Sequence, residues 1–156
     1  MMCRNCTKGM STMEIRKPSE NELEEIIRLS PQALFEGTVG SFMPTDEKIN
    51  QIVQPLLQKG CYYLIASEED QLMGWILLGK SKDQFTDEAI GFIYELYVKQ
   101  EFRGKGISKQ LMNSGINSLK KEGYQEIRLN VFSENQAINL YKQMGFSVRN
   151  VTMSLA

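Results

Sequence analysis

Glu95-Leu96-Tyr97-Val98-Lys99-Gln100-Glu101-Phe102-Arg103-Gly104-Lys105-Gly106-Ile107-Ser108 is the stretch on which the fold turns. The apolar residues before Lys99 read as the end of a strand. Ile107, Leu111, Met112, Gly115, Ile116 and Leu119 then recur at helical spacing. A basic, glycine-containing loop therefore joins a strand directly to a helix N-terminus. The first N–H groups of a helix have no internal partner, and the helix dipole adds partial positive charge there. Gly104 and Gly106 let the backbone approach an anion with no Cβ in the way, while Arg103 and Lys105 add full charges. A phosphate or pyrophosphate is the ligand this pattern suits. The competing reading is a tight turn whose basic side chains are simply solvated.

Two familiar phosphate sites fail on these residues. No Gly-x-x-x-x-Gly-Lys-Ser/Thr string occurs in the chain. A dinucleotide fingerprint beginning at Gly104 needs a third glycine where Lys109 stands. Glu126 lies at a tempting distance downstream, but it falls where the next strand begins, whereas a ribose-binding acid belongs at that strand's carboxyl end.

Working outward, a strand is expected at Met13–Lys17. Ser19 and Glu22 then form a capping-box pattern before Leu23, Ile26 and Ile27. Residues 30–45, with Gly37, Gly40 and Pro44, read as loop. A second helix runs through Ile49, Ile52, Val53, Leu56 and Leu57, kinked or shortened at Pro55. Tyr62–Ser67 and Leu72–Leu78 read as an antiparallel hairpin, followed by a longer strand at Ala89–Val98. Past the quoted loop and its helix, Gly123 supplies a stop and Ile127–Val131 a β-branched strand. A last helix at Asn135–Met144 carries Ala137, Leu140, Tyr141 and Met144 on one face, and Ser147–Ser154 can close the sheet. The order β-α-α-β-β-β-α-β-α-β is that of an α/β fold with a mixed sheet.

The chain has 156 residues, 42% hydrophobic and 24% charged, as expected for one domain at residues 13–156 with its own core. Residues 1–12 lack periodicity and read as a disordered extension. With 18 Lys+Arg against 19 Asp+Glu, no global basic field argues for nucleic acid. No apolar run is long enough to cross a bilayer and no signal-peptide h-region opens the chain, so the cytoplasm is the expected compartment. Cys3 and Cys6 form a C-x-x-C without a second ligand pair, and are read as reduced, incidental thiols; no metal is expected. Cys61 reads as a strand-end residue. The chain contains no histidine, which removes every Ser/His/Asp and Cys/His mechanism.

A second block, Asn135-Gln136-Ala137-Ile138-Asn139-Leu140-Tyr141-Lys142-Gln143-Met144-Gly145-Phe146, follows the phosphate loop. Together the two resemble the GNAT-type N-acetyltransferase superfamily. Its pyrophosphate-loop pattern is Arg/Gln-x-x-Gly-x-Gly/Ala, and Arg103, Gly106 and Ser108 stand at those places. Ser108 departs from Gly/Ala but is small. The resemblance runs from about Met13 to the C-terminus and is weaker before Tyr62.

The resemblance implies a GNAT-like fold, a mixed and mostly antiparallel central sheet flanked by helices, working as a monomer or homodimer. It implies acetyl-CoA as the acyl donor. The strand before the loop would splay from its neighbour, so that Leu96, Tyr97 and Val98 lie along the pantetheine arm. The N–H groups of Arg103, Gly104, Lys105, Gly106, Ile107 and Ser108 would hold the pyrophosphate. Asn135 would contact the cofactor, and the Tyr141 hydroxyl would lie near the thioester sulfur. Asn130 stands where some relatives that acetylate protein N-termini carry glutamate.

Chemistry supports some of these roles independently. A neutral amine attacking a thioester releases a thiolate, which a nearby phenol (ordinary pKa about 10) can protonate. Tyr141 is that phenol, or else a core tyrosine on the helix's apolar face. Asn135 has an alternative as a helix cap. The ammonium form of an acceptor must first lose a proton, and carboxylates, tyrosines or a water chain are the candidates. Glu95 is the carboxylate in the central strand; alternation sets it opposite Tyr94 and Leu96, and it can equally be solvated or ion-paired. The expected reaction is acyl transfer to a small-molecule or peptide amine, with a catalytically silent acyl-CoA-binding module as the alternative on the same fold.

Overall fold

A computed structural model describes residues 12–156. The expected extension, Thr12 apart, and the Cys3/Cys6 pair lie outside the described residues. Five strands form one sheet in the order β1 (Glu14–Arg16), β2 (Tyr62–Glu68), β3 (Gln71–Lys82), β4 (Ala89–Val98) and β5 (Ile127–Leu129). Successive strands pair antiparallel except β4 and β5, which are parallel. The hairpin between β2 and β3 turns on Glu69 and Asp70, both at positive φ, as a two-residue turn requires if its twist is to match the strands.

Strand β3 explains the two cores. Leu72, Trp75 and Leu77 face one side and Met73, Ile76 and Leu78 the other, all buried. On the first side lie α1 (Glu20–Gly37) and α2 (Asp46–Gln58), which contribute Ile26, Ala33, Ile49 and Val53. On the second lie α3 (Ile107–Lys121) and α4 (Ala137–Gln143), which contribute Leu111, Met112, Leu119 and Tyr141. Fully burying a Leu or Met side chain stabilises by about 1.5–3 kcal/mol, so each helix is held mainly by its apolar face. Helix α3 lies close to the sheet because Gly115 has no side chain; a Cβ there would stand 2.8 Å from Ile76 Cδ1.

Several expectations are refined. The capping box forms as read, with Glu22 N–H donating to Ser19 Oγ and Ser19 N–H to Glu22 Oε1. Helix α1, however, continues through Pro31 to Gly37, over residues expected to be loop. Its apolar face is unbroken across Leu29, Ala33 and Leu34. The buried Ser30 hydroxyl donates to the Ile26 carbonyl at 2.6 Å, beside the donor position that Pro31 leaves empty. Helix α2 likewise retains Pro55 within its last turn.

The closing strand expected at Ser147–Ser154 is not formed. A strand needs a ladder partner and a face to bury. Val151, Met153 and Leu155 are 72%, 89% and 100% exposed, and Arg149 is drawn to Asp83 at 3.3 Å. That same buried carboxylate accepts from the Phe85 and Thr86 N–H groups and pairs with Arg128 at 2.7 Å. It thereby fastens β5 to the loop after β3, at the end of the sheet remote from the site.

Candidate active site

The site begins where β4 and β5 part. Their parallel ladder covers only Gly91 with Ile127, Phe92 with Arg128 and Ile93 with Leu129. Beyond Ile93, β4 keeps β3 on one edge and has no strand on the other. The Lys99 N–H donates to the Met73 carbonyl at 2.9 Å, which makes Lys99 and Met73 a hydrogen-bonded pair. By the alternation of an antiparallel ladder, Tyr97 also exchanges bonds with β3, whereas Leu96 and Val98 aim their backbone groups outward into the cleft. Of the three residues expected along a bound pantetheine, Leu96 and Val98 therefore offer backbone groups, and Tyr97 does not.

The strand leads through a 3-10 turn at Gln100–Phe102 into the loop before α3. Gly104 and Gly106 sit at φ 81° and 76°, the left-handed region that costs other residues about 1–2 kcal/mol. Among the described residues no hydrogen bond takes up the N–H groups of Gly104, Lys105, Gly106, Ile107, Ser108 or Lys109. All but Lys105 of these residues border a cavity of about 350 Å³, with Val98 and Phe102 in its wall and Leu140 of α4 opposite. A continuous run of unspent donors at a helix N-terminus is an anion site. Lys109, where a third glycine was sought, supplies a cation beside it.

Arg103 departs from its expected use. Its N–H is taken by the Gln100 carbonyl at 3.3 Å. Its guanidinium turns away toward α1, where Nε donates to the Val98 carbonyl at 2.9 Å and Nη2 pairs with Glu36 at 2.5 Å. The group also lies over the Tyr97 ring, 5.4 Å from its centroid. Arg103 thus ties α1 to the loop and occupies the outward carbonyl of Val98, leaving the Val98 N–H as a free donor in the cleft.

Across the cleft, Tyr141 is buried beside Val98 and Ile107, its ring edge-on to Phe146 at 6.1 Å. Burial pushes its phenol above the ordinary value, so it is protonated at neutral pH, and no described residue hydrogen-bonds its hydroxyl. Asn135 acts as a cap and a brace. Its Oδ1 accepts from Ala137 N–H at 2.9 Å, and its Nδ2 donates to the Gly37 carbonyl at 3.1 Å, joining α4 to the end of α1. Both ends of the amide are spent within the protein, so its placement fits the capping alternative.

Glu95 is neither solvated nor ion-paired. A β-bulge at Tyr94, which Leu77 and Leu78 skip when they pair with Glu95 and Ile93, turns Tyr94 and Glu95 to the same face. The carboxyl therefore enters the layer beneath α1 instead of standing opposite Tyr94. Its partner there is the indole N–H of Trp75. Desolvation raises its pKa to about 7, with the indole hydrogen bond opposing. On the α1 side a groove runs between that helix and the end of β4, lined by Leu29, Gln32, Glu36 and Tyr97 and not by Glu95 itself. Trp75 and Tyr63, both on this face, were missed by the sequence reading; a single tryptophan in a strand gives no signal beyond core packing.

A mixed sheet opened between two parallel strands, with a turn of unspent N–H donors at its mouth and a buried phenol opposite, describes a class of acyltransferases. Residues 23–146 match the profile of the acetyltransferase (GNAT) family. The chain belongs to that family and is an N-acetyltransferase. It is similar to the uncharacterised N-acetyltransferase YycN of Bacillus subtilis, 29% identical over 124 residues that cover 74% of this chain and 78% of that one. A second such protein of the same organism, YdgE, is 25% identical over 146 residues, 86% of this chain and 92% of its own. Two solved structures share the fold. Aminoglycoside N-acetyltransferase AAC(6')-Iy in complex with CoA superposes at TM-score 0.73, with 20% identity over 94% of this chain and 95% of that one. An acetyltransferase of Clostridium acetobutylicum with acetyl-CoA gives 0.74, with 18% identity over 93% and 96%.

Proposed function

We propose that the enzyme transfers an acetyl group from acetyl-CoA to a primary amine by direct attack in a ternary complex. The observation that carries this reading is the run of unspent N–H groups from Gly104 to Lys109, set beside the open edge of β4. The pyrophosphate of the donor seats on that run, with Lys105 and Lys109 beside it. The outward groups of Leu96 pair with the extended arm, the Val98 carbonyl being taken by Arg103. The acceptor approaches along the α1 groove that Tyr97 lines.

Glu95 is the terminal acceptor of the proton that the ammonium form gives up. The amine nitrogen then attacks the thioester carbonyl carbon, a C–N bond forms, and negative charge collects on the carbonyl oxygen. The free Val98 N–H is the donor for that oxygen; preorganised donors at developing charge are commonly the largest catalytic term. Collapse breaks the C–S bond, the Tyr141 hydroxyl gives its proton to the departing thiolate, and the proton still carried by the new amide nitrogen is released and restores the phenol. No covalent bond to the protein is formed.

Parallel calorimetric titrations with CoA and NADH test the donor assignment. CoA is expected to bind with its affinity lost on dilution of the loop's donors by mutation, and NADH to give no heat. Binding of NADH in place of CoA would return the loop to a dinucleotide reading.

A further inference from the structure

The carboxyl of Glu95 lies in an apolar layer with a single hydrogen-bond partner, the indole N–H of Trp75. Trp75 is wholly buried and packed against Tyr97, ring centroids 4.8 Å apart, so the donor has little freedom to turn. The helices above offer nothing charged: α1 presents Ile26 and Ala33, and α2 Ile49 and Val53. Ser30, the polar residue of α1 in this layer, has already spent its hydroxyl on the Ile26 carbonyl. The nearest ion pairs, Lys99 with Glu25 and Arg103 with Glu36, are satisfied within themselves at the rim. On β4, Tyr94 gives its hydroxyl to the Lys80 carbonyl, and Cys61 lies beyond it. On β2, Tyr63 is buried with a hydroxyl that has no partner, within the field of the Glu95 charge.

A buried carboxylate with one donor depends on that donor. The indole N–H donates and cannot accept, so it stabilises the ionised carboxylate and does nothing for the protonated acid. The acid's O–H needs an acceptor, and the unspent Tyr63 oxygen on this face can be one. We propose that Trp75 is the positioning residue of the Glu95 base, its indole N–H fixing the carboxyl in the layer under α1 and holding it ready to take a proton, with the Tyr63 hydroxyl serving the protonated state. This rests on the reading of Glu95 as base. It adds a residue on a neighbouring strand, β3, to the catalytic apparatus.

The pair can be followed directly. The chain has one tryptophan and no histidine, so the indole N–H resonance is single and no imidazole titrates near neutrality. In the intact protein, carboxyl carbon NMR with labelled glutamate should show one glutamate titrating near pH 7. The indole N–H resonance should move with the same midpoint and become flat in Glu95→Gln. In Trp75→Phe the carboxyl midpoint should rise by about one to two pH units, the amount a lost hydrogen bond to a charged group represents, and the acid limb of kcat/KM should move with it. An indole resonance that ignores the Glu95 titration, or a folded Trp75→Phe protein with an unmoved midpoint, overturns the proposal. If Glu95→Gln keeps its full single-turnover rate, the base assignment falls instead, and the indole titration still reports whether the contact exists.

Discussion

Replacing Gly106 by valine separates the cost of loop geometry from the cost of a blocked ligand. Gly106 sits at φ 76°, and a Cβ built there meets no protein atom within 4 Å. The new Cβ therefore creates no internal clash. Its stability cost is the left-handed backbone, about 1–2 kcal/mol, or a fall in Tm of roughly 2–8 °C for a chain of this size. The added atoms point instead into the space an anion must enter to reach the six unspent N–H groups. Each hydrogen bond to a charged group contributes about 1.5–3 kcal/mol. Displacing the pyrophosphate from even one of them weakens CoA binding at least tenfold, about 1.4 kcal/mol. Gly123, at φ 98° past the far end of α3 and also with open space at its Cβ, is the matched control. Gly123→Val should lose comparable stability and keep its affinity. Calorimetry giving equal CoA affinities for folded Gly106→Val and Gly123→Val would refute the placement of the phosphate.

Tyr141→Phe removes only a hydroxyl, so CoA affinity should hold while the single-turnover rate falls roughly 100-fold, the scale of a lost proton donor; a full rate would make the phenol a packing residue. Glu95 makes a prediction about stability and pH. Its folded pKa of about 7 lies above the ordinary 4.5, so its contribution is fully present below pH 4.5 and is lost as pH rises through 7. The loss is of order 3 kcal/mol. Chemical denaturation should therefore show Glu95→Gln gaining on the parent by a few kcal/mol between pH 5 and pH 8, and a pH-independent difference would mean the carboxyl is not desolvated. Glu22 works in the opposite sense: Arg16 holds it down to about 2. Its contribution is present above the ordinary carboxylate range and is lost as pH falls through about 2, so the stability deficit of Glu22→Gln against the parent, measured by chemical denaturation, should be full near neutrality and shrink toward zero as pH falls to about 2.

What was legible in the sequence was local. The strand–loop–helix turn at Val98–Ile107 could be read because its strand end, its glycines and its helix start are contiguous. The capping box at Ser19 was legible for the same reason. The Glu95 environment was not, since the bulge at Tyr94 is set by how β4 pairs with β3, and a one-residue slip reverses which face a side chain takes. Arg103 was misjudged because its partner, Glu36, stands on a helix distant in sequence. Gly37, Gly40 and Pro44 suggested a loop from residue 30, yet the packing of Leu29, Ala33 and Leu34 carries α1 through Pro31 to Gly37. The tail from Ser147 has the composition of a strand, but composition does not supply an edge to pair with.

The central claim is catalysis of acetyl transfer, and release of the CoA thiol measures it most directly. The full chain should be mixed with labelled acetyl-CoA and a pool of amines spanning polyamines, amino sugars and short peptides, and thiol release followed alongside label in the amine fraction. The account predicts thiol release in step with an acetylated amine, dependent on the pool, with no label left on the protein. Tight acetyl-CoA binding with no amine-dependent thiol release across the whole pool would contradict it, and would make the fold a silent acyl-CoA-binding module.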